Sequence, residues 1–189
     1  EASVVHAIEL DRDLVSGLKD KFEGNPKFSL YEGDALSGPL RPPDGMPINK
    51  VVANIPYNIT SPLFDRLLGR LDRPPSERFQ RLVILLQREV AQRILAKAGN
   101  SSFSAISVRF QLAAKCRGVC NVPPSAFTPK PKVESQVIVL DPIEANKRLD
   151  FEIAQRLESL LKIAFTSRRK MLRNSLSGLS IFSELNDIS

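Results

Sequence analysis

Runs of apolar residues alternate with stretches of helical periodicity along most of this chain, and that alternation leaves few folds open. Residues 4–8, 28–31, 50–53 and 82–86 read as strands, and the last, Leu82-Val83-Ile84-Leu85-Leu86, is apolar throughout. Leu14, Val15, Leu18 and Phe22 recur at helical spacing and predict a helix from Asp11 to about Phe22. Further helices are predicted over 61–71, 88–97 and 103–113. Ser61 is the expected N-cap of the first of these, with Pro62 as its first helical residue. A Pro- and Gly-rich loop fills 37–47, and Val119 and residues 137–140 mark two last strands. Strands separated by helices predict an α/β fold with a mostly parallel, doubly wound, Rossmann-like sheet.

The pattern changes after Asp141-Pro142. No strand period follows, whereas Phe151, Ala154, Leu157, Leu160, Leu161, Ala164 and Phe165 keep helical spacing. Two domains are therefore expected: an α/β domain over 1–142 and a small basic helical domain over 143–189. The charge is uneven in the same way. The 189-residue chain carries a net +6, and residues 147–173 hold eight basic and three acidic residues, a net +5. A surplus that concentrated favours an anionic partner, with nucleic acid first, over an average solvated surface. The two cysteines, Cys116 and Cys120, make no disulfide framework. The one histidine, His6, lies far from them, so no metal site is expected. No apolar run reaches about 18 residues, and no signal peptide is visible, which predicts a soluble protein of a reducing compartment, the cytoplasm by default.

Function should gather at the strands' carboxyl ends, where open α/β sheets bind ligands. The run Val51-Val52-Ala53 leads into Asn54-Ile55-Pro56-Tyr57. The Asn54 amide oxygen and a neighbouring backbone carbonyl can accept from one amino group. Pro56 stiffens the turn, and Tyr57 offers a face for stacking. Such a set could hold an exocyclic amine with its lone pair aimed at an electrophile; the plainer alternative is an ordinary strand-to-helix turn. Glu9 ends the first strand, where a carboxylate can accept from ribose hydroxyls, or simply face solvent. Asp34 and Ala35 follow the second strand. There a carboxylate can accept from an adenine amine while the Ala35 N–H donates to the ring, or Asp34 can bond its own turn. Residues 122–135 contain four prolines, one aromatic, Phe127, and then Lys130 and Lys132. A stiff basic loop presenting one ring suits an extruded base, unless Phe127 is tucked into the core.

These segments, together with Gln87-Arg88-Glu89-Val90-Ala91-Gln92-Arg93-Ile94 and Phe165-x-x-Arg168-Arg169-Lys170-x-Leu172-Arg173-Asn174, appear in an order that resembles the small-subunit ribosomal RNA adenine dimethyltransferases. The resemblance covers nearly the whole chain. It implies an enzyme acting as a monomer on small-subunit ribosomal RNA within the pre-ribosomal subunit, with S-adenosylmethionine as methyl donor and two adjacent adenines as targets. It assigns Glu9 and Asp34 to the ribose and adenine of the cofactor and Asn54 and Tyr57 to the target adenine. With these, Ala35 and Asn54 are expected at the cofactor, Ile55 and Pro56 at the target amine, and Tyr57, Phe127, Lys130, Lys132, Arg168, Arg169, Lys170 and Arg173 at the RNA. A glycine-rich turn is expected ~20 residues before a strand-end acid such as Glu9, and only eight residues precede it. The first strand and its glycine loop are read as missing, so residues 1–189 are expected to bind cofactor poorly. The rival readings are a macrolide-resistance-type methyltransferase of large-subunit RNA and a non-catalytic RNA-binding factor on the same fold.

Overall fold

A computed structural model describes residues 2–167 and 171–176, with the Tyr57 side chain excepted. The chain runs β1 (Val5–Glu9), α1 (Arg12–Lys21), β2 (Phe28–Glu32), β3 (Lys50–Asn54), α2 (Thr60–Leu68), β4 (Arg81–Gln87), α3 (Arg88–Leu95) and α4 (Ala105–Ala113). Then come β5 (Ala114–Val122), β6 (Ser135–Pro142), α5 (Phe151–Ala164) and α6 (Leu172–Leu176). Local chemistry sets several of these boundaries. Asp11 accepts from Asp13 N at 2.9 Å and caps α1, while Lys19 and Lys21 occupy its last turn, against the negative end of the helix dipole. Gly69, at φ 73°, ends α2 in a conformation that suits glycine.

The described strands form a parallel pair, β1-β2, and a four-stranded sheet in the order β3-β4-β6-β5. In the larger sheet β3 and β4 are parallel, and β6 is antiparallel to both β4 and β5. The expectation of a mostly parallel sheet is therefore corrected: two of the four strand pairings are antiparallel. The cause is β6, which returns from β5 through the proline-rich loop and inserts beside β4. The strand seen only at Val119 is the nine-residue β5. The helix expected over 61–71 is also corrected. Tyr57–Ile59 form a 3-10 turn, α2 begins at Thr60, and no side chain caps it, so Ser61 lies inside the helix.

The core lies between β4 and β6 and the helices α2, α3 and α4. On β4 alternate residues Leu82, Ile84 and Leu86 are buried, as the strand period requires. They meet Ile138 and Leu140 of β6, Ile94 of α3, and a stripe on α2 formed by Leu63, Phe64, Leu67 and Leu68. Phe64 and Phe110 of α4 meet edge to face at 4.7 Å. The opposite row of the sheet is less covered, and Val52 is 82% exposed. Ser107, wholly buried on α4, accepts from Ser104 N at 3.0 Å and donates to Arg93 O, fastening α4 to α3.

The helical segment after β6 is fastened to the sheet domain. Arg148 donates to Leu68 O at 2.7 Å, and Phe165 meets Phe103 at 6.0 Å. Burial and the charge of Arg78 hold the Arg148 guanidinium below its ordinary range.

Candidate active site on the carboxyl rim of the sheet

Register places Asn54 and both ends of the proline-rich loop on one edge of the four-stranded sheet. Asn54 is the last residue of β3 and lies opposite Leu85. The ladder continues one step further, with Ile55 N donating to Leu85 O at 3.1 Å, and Ile55 is 1% exposed. The buried Ile55 side chain anchors the turn, while Asn54 is exposed and its amide makes no hydrogen bond among the described residues. Pro56 is extended, and its carbonyl accepts from Ile59 N and Thr60 Oγ1. The backbone at Tyr57 therefore turns sharply; its ring lies outside the described residues.

The β1-β2 pair brings its own strand ends together, since Glu9 lies opposite Glu32 and Gly33 N donates to Glu9 O at 2.9 Å. Glu9 Oε1 accepts from Leu10 N and Asp11 N at 2.8 and 2.9 Å, and Oε2 has no partner among the described residues. Asp34 forms the turn bond that the sequence left open: Oδ1 accepts from Leu36 N at 2.8 Å. Its Oδ2, and the Ala35 N–H beside it, have no partner among the described residues. The turn is packed tightly. A Cβ on either Gly33 or Gly38 would collide with the Tyr31 ring, so a larger residue at either position requires that exposed ring to move.

Sequence reasoning missed a residue here. Arg66 of α2 donates through Nη1 to Ala35 O at 2.6 Å and through Nη2 to Gly38 O. It fastens the loop after β2 to the helix that follows Asn54. The only available signal was a cation set between the buried Leu63 and Leu67 in a short apolar helix.

The proline-rich loop reaches the same rim, because β5 ends and β6 begins there, with Val122 opposite Ser135 and Gln87 opposite Ser135. Pro124–Ala126 form a 3-10 turn closed by Phe127 N donating to Pro124 O. Phe127 is half-buried and stands outside the core cluster, while Lys130 and Lys132 are exposed. Arg88, the first residue of α3, bonds Glu134 through both backbone and side chain and anchors the loop's far end. Arg173 is exposed on α6, and Arg168, Arg169 and Lys170 lie outside the described residues. Burial pushes the Cys116 thiol up to about 11, which makes it a packed group with little nucleophilic character. Among the described residues no group of His, Cys, Asp or Glu is placed to hold a metal ion, and no helix is long and apolar enough to cross a membrane.

The fold is that of a Rossmann-like α/β protein, a class whose ligands bind at the carboxyl ends of the strands. The profile of the ribosomal RNA adenine dimethylase family matches residues 2–186. The chain belongs to that family. It is 60% identical over 179 residues to the ribosomal RNA small subunit methyltransferase A of Parasynechococcus marenigrum (strain WH8102), covering 95% of this chain and 59% of that protein. Identity to the protein of that name from Synechococcus sp. (strain WH7803) is also 60%, over 188 residues, covering 100% of this chain and 67% of that one. A dimethyladenosine transferase from Plasmodium falciparum superimposes with TM-score 0.77 at 31% identity, over 97% of this chain and 63% of that one. The 23S rRNA methyltransferase ErmE does so with TM-score 0.73 at 26% identity, over 99% and 71%.

Proposed function

We propose that the protein transfers methyl groups from S-adenosylmethionine to the exocyclic amines of two adjacent adenines in small-subunit ribosomal RNA, as part of ribosome assembly. The observation that carries this reading is the unpaired amide of Asn54, presented at a strand end on a turn stiffened by Pro56 and anchored by the buried Ile55. The 60% identity to proteins named for the small subunit favours that substrate over large-subunit RNA.

The residues present fit the donor. Asp34 Oδ2 would accept from its adenine amine, the Ala35 N–H would donate to the ring, and Glu9 Oε2 would accept from the ribose. When bound, S-adenosylmethionine supplies a methyl group on a sulfonium, an electrophile that needs no further activation. Asn54 Oδ1 and the Ile55 carbonyl would each accept one N–H of the target amine and aim its lone pair along the line of displacement. The amine, held by Asn54 and Ile55, would take up the methyl group and release its surplus proton to solvent. Tyr57 and Phe127 would sandwich the base, each stacking contact worth ~1–3 kcal/mol against the few kcal/mol needed to extrude it. Lys130, Lys132, Arg168, Arg169, Lys170 and Arg173 would meet phosphates, which position without reading sequence.

The test is single-turnover methylation of purified small subunits, by protein of the relatives' full length. Asn54→Ala should slow transfer by ~100-fold or more with little change in RNA affinity, because the amine's N–H bonds strengthen as it becomes positive. Tyr57→Phe and Phe127→Tyr should be tolerated, and the corresponding alanine variants should weaken base capture. A normal rate for Asn54→Ala would reduce the motif to a turn and sink the mechanism.

A further inference from the structure

One face of the four-stranded sheet carries a row of cations at the edge opposite Asn54. Register defines it: Lys50 lies opposite Arg81, and Lys115 opposite Asp141. Arg81 joins the two halves, donating to the Asp141 carboxylate from Nε at 2.6 Å and from Nη2 at 3.1 Å. Paired residues point to the same side of a sheet, so Lys50, Arg81, Asp141 and Lys115 form one line across four strands. Arg117, two residues on from Lys115, falls on the same side, opposite Val139. From Lys50 to Lys115 the line crosses three strand spacings, roughly 14 Å. Four cations (Lys50, Arg81, Lys115 and Arg117) against the one carboxylate of Asp141 leave a net +3. That carboxyl is held below its usual range, first by the Arg81 hydrogen bond and further by the charges of Arg117 and Lys115. Lys50, Lys115 and Arg117 are exposed and make no ion pair or side-chain hydrogen bond among the described residues.

We propose that this row holds the phosphate backbone of a paired segment of ribosomal RNA outside the target adenines. A flat line of long cationic side chains matches a run of phosphates, which follow one another at about 3.4 Å along one strand of a duplex. Lysine is depleted and aromatic residues are enriched where proteins meet. The row has two lysines, and none of the four strands contains an aromatic residue. Backbone phosphates need no ring to stack on, so charge selects the occupant. The place suits it as well. Lys50 and Asn54 stand on one side of β3, four residues or roughly 13 Å apart, so a duplex laid along the row leads toward the rim. The inference rests on the reading of the protein as an RNA methyltransferase and adds a contact surface that acts on affinity and not on the chemistry.

The experiment measures binding of a short G·C RNA duplex, which offers the rim no adenine, against salt concentration in protein of the relatives' full length. The triple variant Lys50→Gln, Lys115→Gln and Arg117→Gln should bind about 10-fold or more weakly and flatten the salt slope by roughly 2–3, at about 0.9 for each phosphate contact to a duplex. Lys50→Arg with Lys115→Arg, which keeps the charge, should bind with the parent's slope. S-adenosylmethionine affinity should be the same in all variants, which shows that they fold. In the free protein an amine-acylating reagent should label Lys50 and Lys115, and the duplex should protect both. A triple variant with the parent's affinity and slope, or lysines already shielded without RNA, would overturn the row. Polyglutamate that binds the parent as tightly as the duplex does would make this a surface for acidic protein and overturn it too. A parent that binds the duplex through the row but methylates no adenine would sink the proposed reaction alone.

Discussion

Arg109 of α4 holds Glu158 of α5 by three hydrogen bonds of 3.0, 3.0 and 2.7 Å, and Glu158 is only 5% exposed. Among the described residues the pair ties α4 to α5, beside the bond from Arg148 to Leu68 O. Arg109→Ala leaves a buried carboxylate without its cation. Because the Arg109 side chain is 38% exposed, the expected cost is about 2–3 kcal/mol, at or below the lower end for buried pairs. Arg109→Met with Glu158→Leu should recover most of it. Chemical denaturation of the three proteins checks this, and equal losses in the single and double variants would mean that the pair contributes only packing.

Asp34 uses one oxygen for its turn, and the other has no partner among the described residues. Asp34→Asn should keep the turn bond to Leu36 N through Oδ1 and set an N–H where Oδ2 was, at the position proposed to accept from the donor's adenine amine. We expect unchanged thermal stability and ~10-fold or greater loss of S-adenosylmethionine affinity by calorimetry, because a donor would then meet a donor. Unchanged affinity would remove Asp34 from the cofactor site.

Arg66 sets the carbonyls of that loop from a helix thirty residues on. Arg66→Met removes two charge-assisted bonds and should loosen the loop by about 2 kcal/mol, visible as faster amide exchange at Leu36, Ser37 and Gly38. Arg66→Lys, which can still reach one carbonyl, should restore part of the protection. Exchange no faster in Arg66→Met than in the parent would show that Tyr31 and its two glycines hold the loop without it.

The two thiols should react very differently. Cys120 is exposed, and Cys116 is half-buried with its thiol pushed up to about 11 by desolvation. At pH 8 only about one Cys116 in a thousand is thiolate, so alkylation followed by peptide mass spectrometry should find Cys120 modified first. In Cys120→Ser, labelling should be slow at pH 8 and rise steeply as pH approaches 11. Equal labelling of both thiols at pH 8 would contradict the burial of Cys116.

How much of this was legible depended on where each signal sat. The run 82–86 declared a strand because both of its neighbours in the sheet are strands. β5 nearly escaped notice: its Lys115, Arg117 and Asn121 are exposed on an edge, so no apolar alternation marks it. The start of α2 was misjudged because Tyr57–Ile59 spend one turn as a 3-10 helix, which Ser61 and Pro62 do not announce. The direction of β6 is invisible to periodicity, since a strand reads alike both ways. Of the proposed site, Glu9, Asp34 and Asn54 could be placed at strand ends because strand ends are predictable. Arg66 and Glu158 could not, because their partners lie 28 to 49 residues away and no local pattern links them.

The reversal of β6 has a consequence for where the chain can place a lid. A parallel strand would have had to begin at the sheet's opposite edge, and residues 123–134 would have been used up in crossing back. Because β6 doubles back, those residues are free to overhang the edge that carries Asn54, with both ends of the span pinned on that edge, by Val122 against Ser135 and by Arg88 against Glu134. A loop tethered at both ends above one opening behaves as an awning with two posts. Lengthening it would slacken the roof over that edge and leave the floor unchanged.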